Sequence, residues 1–67
     1  MTTLGEALPL EQARVRKVLG HYKEIGPAGA FGAAMIESSL HAADKAIMNG
    51  DLAAMISAFE NLKSIKD

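Results

Sequence analysis

The sequence predicts an all-α protein: a three-helix antiparallel bundle that associates into a homo-oligomer. Three observations carry this expectation. Apolar residues recur at helical spacing through most of the chain, and two short breaks, Gly26-Pro27 and Asn49-Gly50-Asp51, divide that pattern into three. The middle stretch is apolar over a wider arc than two flanking helices can cover. Strand alternation, low-complexity tracts and linkers are absent from the sequence, so the 67 residues are expected to form one helical domain, 1–67.

Residues 1–8 have no period and are expected to be frayed. The first helix is placed at about 9–25. Pro9 suits a first helical position, where its missing N–H would have no partner, and Glu11 adds negative charge where the helix dipole favours it. Val15, Val18, Leu19, Tyr22 and Ile25 share one stripe, the expected core face. Arg14, Arg16, Lys17 and Lys23 lie outside it and make a mildly basic outer surface.

Gly26-Pro27 ends that helix and starts the next within two residues, because glycine accepts the left-handed exit and proline can begin a helix but not continue one. The second helix is placed at about 27–49. Gly50 then terminates it, and Asp51 is placed to accept the free N–H groups of a third helix at about 51–66. Leu52, Met55, Ile56, Phe59, Leu62 and Ile65 fall on one stripe of that helix, with Lys63 and Lys66 favouring its C-terminal dipole. Connections this short make sequential helices antiparallel neighbours.

The middle helix organises the rest. With Phe31 at zero and 100° per residue, Ile36, Leu40, Ala43 and Ile47 fall between about 120° and 180°, and Gly32, Met35, Ser39 and Ala46 between about 40° and 100°. The first group is bulky and suits an ordinary core. The second, with Ser38 and Ala42, is mostly small, and small residues at four-residue spacing let another backbone come close. Gly32, Met35, Ser39, Ala42, Ala43 and Ala46 are therefore the expected interface with another copy or partner.

Composition narrows the function. A chain this short buries only about 60% of its unfolded surface, and without cysteine it has neither disulfide staples nor a thiolate metal site. Self-association is the remaining device. A net charge of −1 gives no general attraction to nucleic acid or anionic membrane. No apolar run approaches the roughly 20 residues of a membrane span, and the N-terminus lacks a signal-peptide pattern, so a cytoplasmic chain is expected.

Each chemical feature has a plainer reading. Glu37, His41 and Asp44 share a face at metal-ligand spacing, but zinc wants about four ligands and His21 lies on another helix, so no metal site is predicted. Gly26, Gly29 and Gly32 at a helix start offer N–H groups to an anion, with Arg16, Lys23 and Gly29 as its contacts. The run is neither a dinucleotide fingerprint nor a phosphate loop, and close helix packing explains it better. DNA reading by helix-turn-helix fits poorly, because the third helix has few donors for base edges. The methionines Met35, Met48 and Met55 fill a core or adapt to a partner. With no cysteine, no Ser-His-Asp order and no carboxylate dyad, neither an enzyme nor a cofactor is predicted.

Two resemblances add to this. KAIMNGDLAAMISAFENLKSI, with its Gly50-Asp51-Leu52 turn and Phe59, resembles the turn and second helix of a tetratricopeptide repeat. It is one partial unit, which points to the same helical-hairpin solution and not to an array. HYKEIGPAGAFGAAMIESSLHAADKAIMNGDLAAMISAFENLK resembles small helical proteins encoded by Mu-like phages and prophages. The resemblance implies a compact protein that binds and blocks a host or defence protein in the bacterial cytoplasm. The expected function is thus a non-enzymatic protein-binding module. The alternatives are an oligomer that sequesters a nucleotide or other anion, and a nucleic-acid-binding regulator.

Overall fold

In the computed structural model, residues 3–66 are described and carry three α-helices packed against one another. They are α1 (Leu4–Ile25), α2 (Ala30–Asn49) and α3 (Leu52–Lys63), with a 3-10 turn, Gly26–Gly29, between the first two.

Helix α1 begins five residues before the expected start, which corrects both the frayed segment and the role of Pro9. Thr3 is its N-cap: the hydroxyl accepts from the Glu6 N–H at 3.3 Å, and the Thr3 carbonyl accepts from Ala7 at 2.8 Å. Thr3-x-x-Glu6 is the spacing of a capping box. Leu8, fully buried, anchors this extra turn in the core. Pro9 lies inside the helix and leaves the carbonyl of the exposed Gly5 without its usual donor, a loss that water can make good. Met1 and Thr2 lie outside the described residues.

The turn after α1 is set by two glycines. Gly26 has φ 83° and ψ −144°, a region that side chains with a Cβ essentially avoid. Gly29 is buried so tightly that a Cβ there would lie 2.2 Å from the Tyr22 carbonyl oxygen. Pro27 opens the 3-10 turn, so regular α-helix starts at Ala30 and not at 27. The second turn is built from hydrogen bonds. Gly50 is left-handed at φ 63°, its N–H donates to the Ile47 carbonyl at 3.1 Å, and the Asp51 N–H reaches back to Ala46 at 3.2 Å, the Schellman pattern. The Asp51 carboxylate accepts from Ala54 at 3.1 Å and caps α3, as its position in the sequence predicts. Helix α3 stops at Lys63, three residues short of expectation. There Ser64 turns its hydroxyl onto the Asn61 carbonyl at 2.6 Å, a local bond that competes with continued helix.

Leu8, Val15, Val18, Ile36, Leu40, Ala43, Ala58 and Leu62 form the core, with Leu19, Tyr22, Met55, Phe59 and Ile65 packed against it. Residues early in α1 lie beside residues late in α2, and late beside early: Gln12 Nε2 donates to Asp44 Oδ1 at 2.7 Å, and Lys23 Nζ is 3.1 Å from Glu37. Helix α3 is tied to α1 by Arg14, whose Nη2 donates to the Leu62 carbonyl at 2.9 Å while pairing with Glu11 at 3.0 Å. Among the described residues no helix is long and apolar enough to cross a membrane.

Candidate functional surface

Several polar groups of this chain are engaged in its own fold. Gln12, only 4% exposed, satisfies its amide on Asp44, and Asp44 also faces Arg16 at 3.9 Å. The Arg14 pKa is raised, first by its hydrogen bond to Glu11 and then by the charge of that carboxylate, opposed by desolvation. Among the described residues no buried side-chain nitrogen or oxygen lacks a partner.

This accounting bears on the predicted sites. Arg16, Lys23 and Gly29, the expected anion contacts, are not brought together for a ligand. Arg16 and Lys23 each face a carboxylate of α2, and Gly29 is pressed against the backbone of Tyr22. Glu37 and Asp44 of the metal-like face are those carboxylates, and no group of three described His, Cys, Asp or Glu residues could hold an ion. The shallow depression along Glu37, His41 and Lys45 is lined by α2 alone, so it is one face of a helix and not a cleft.

The expected interface divides. Ala43 and Ala46 are buried in the chain's own core, and the ring of Tyr22 lies over Gly32, where a Cβ would sit 2.6 Å from it. These three small residues let α2 approach its own neighbours and are not left for another chain, a correction whose cause is steric: a small residue marks a close approach without naming who approaches. Ser39 is half-buried beside α3, while Met35 and Ala42 remain exposed. The last two share an outward stripe with Phe31 and Ser38.

Large apolar side chains stand out elsewhere. Around the first turn, Ile25, Phe31 and Met35 are 60%, 78% and 59% exposed; around the second, Ile47, Met48 and Leu52 are 38%, 83% and 63% exposed. Ile25 and Leu52 were expected on core stripes. Each sits at the last or first position of its helix, where the neighbouring helices no longer cover it. Ile56, expected on the same stripe, follows Leu52 by one turn and is half exposed, and Leu10 points out from α1. Helical spacing marked most of these as apolar positions, yet only the packed structure separates those that reach the core from those that do not.

Single apolar residues on a surface are ordinary, whereas here three large ones stand exposed around each turn. Beside Phe31 a groove runs between α2 and the residues that follow α3, walled by Met35, Ile36, Ser64 and Ile65. The chain matches no family model, no curated protein and no solved structure.

Proposed function

We propose that this chain is a small non-enzymatic protein-binding module, a three-helix antiparallel bundle that self-associates and docks on a bacterial protein. The resemblance to small helical proteins of Mu-like phages makes that target a host or defence protein, blocked in the bacterial cytoplasm. The observation that supports the reading is the exposure of Phe31, Met35, Met48 and Leu52 at the two ends, while Arg16 and Lys23 of α1 face Asp44 and Glu37 of α2. Exposed apolar side chains suit a protein partner better than a phosphate or a nucleic acid.

The test is affinity capture from a bacterial lysate by the wild-type chain and by a Met48→Glu, Leu52→Glu double variant. Wild type is expected to retain a distinct protein that the double variant loses. Retention of the same proteins by both overturns the reading. Thermal stabilisation by a nucleotide, or salt-sensitive retention on heparin, would favour the sequestering or nucleic-acid alternative instead.

A further inference from the structure

Phe31 and the groove beside it are a knob and a socket on one face of the molecule. The chain has three aromatic residues, and two of them, Tyr22 and Phe59, pack against the core. Phe31 stands out at 78% exposure on the first turn of α2. One turn later Met35 forms a wall of the groove, whose two adjoining parts, about 300 and 380 Å³, share Met35, Ile36, Ser64 and Ile65. A cavity of roughly 150 Å³ already admits a benzene ring, so a phenyl side chain fits with room to spare.

We propose that the occupant of this groove is Phe31 of a second copy, in a two-fold dimer. The proposal rests on the reading that exposed apolar side chains of this chain are binding surfaces, and it names one of the partners. In a two-fold interface residue i meets j and j meets i, so knob and socket must lie on the same patch of each copy. Phe31 and Met35 meet that condition, because i and i+4 are neighbours on a helix, about 5–6 Å apart at Cβ. A two-fold axis passing between them carries each ring into the other copy's groove. Ala34 and Ser38, next to them on the outer side of α2, are small, exposed and uncharged, so two such helices approach without setting like charges together. Charged groups stay at the margin: Lys66 lines the far side of the groove, and Glu37 is held by Lys23. Each ring would bury roughly 150–250 Å². The rings alone fall well below the standard of about 800 Å² per partner, so the dimer is sought at high concentration as well as low.

Sedimentation equilibrium across the micromolar to millimolar range tests this. The wild-type chain should approach twice its 7.1 kDa mass at the upper end. Phe31→Glu removes the knob, and Ser64→Trp fills the socket while leaving the knob in place. Both residues are exposed, so each variant should keep its helical circular dichroism and sediment as a single copy. Met48→Glu, at the opposite end, should still dimerise. A single-copy wild type over the whole range overturns the proposal, as does a dimer that survives either Phe31→Glu or Ser64→Trp. The lysate capture is read separately: a monomer that still captures its target defeats only the dimer, and a dimer that captures nothing defeats the target-binding function.

Discussion

The two turns of this molecule solve one problem, ending one helix and starting the next, by different physics. At Gly26–Gly29 the solution is steric: Gly29 meets the Tyr22 carbonyl, Gly32 meets the Tyr22 ring, and α2 starts with no side-chain cap at all. At Asn49–Asp51 the solution is hydrogen bonding: a left-handed Gly50, a reach-back from Asp51 to Ala46, and the Asp51 carboxylate on Ala54. Close contact fails abruptly when an atom is added, because a packed backbone has nowhere to go. A capped turn fails gradually, because water replaces much of what a lost bond supplied.

Substitutions should expose that difference in order of size. Gly29→Ala puts a carbon 2.2 Å from a backbone oxygen, so α1 and α2 must separate. The expected loss is about 3 kcal/mol, roughly a 15 °C fall in melting temperature by calorimetry. Gly50→Ala meets no atom within 4 Å and has only its left-handed backbone against it, for a loss of about 1–2 kcal/mol. Equal losses at the two glycines would erase the distinction. Asp51→Ala removes one cap from an exposed helix start and should cost about 1 kcal/mol in urea unfolding, with an unchanged slope. Gly20→Ala has the opposite sign. Gly20 is exposed in mid-helix, has no strained backbone angle and has open space around it, so alanine should raise stability by about 0.5–1 kcal/mol. A loss there would mean that some contact needs the bare backbone.

The second turn was legible in the sequence down to its residues, since Asn-Gly-Asp carries its own chemistry: Gly50 for the left-handed cap, Asp51 for the next helix. The first was legible as a break, but its four-residue 3-10 path was not, because Gly29 and Gly32 meet Tyr22 across the turn, a packing contact that no local turn pattern spells out. Thr3 and Glu6 form a recognisable capping pair, and Pro9 masked it by looking like a helix start of its own. The core positions Val15, Val18, Ile36, Leu40 and Leu62 follow from periodicity alone. Gln12 does not, since its burial depends on meeting Asp44 on another helix. The candidate surface was the least legible part. The wide arc of α2 could be counted from sequence, yet which side faced its own neighbours could not, and Ala43 and Ala46 went to the core while Phe31 and Met35 stayed out.

The same two ends that differ in construction carry the exposed apolar side chains, and the partners proposed for them differ: a second copy at Phe31 and Met35, a bacterial protein at Met48 and Leu52. Methionine methyl resonances read both at once, since Met35 and Met48 mark one patch each. On dilution of the wild-type chain from millimolar to micromolar concentration, the Met35 methyl should shift while Met48 stays fixed, and in Phe31→Glu neither should depend on concentration. A Met35 signal indifferent to concentration, or a Met48 signal that moves in step with it, would contradict the division of labour between the ends.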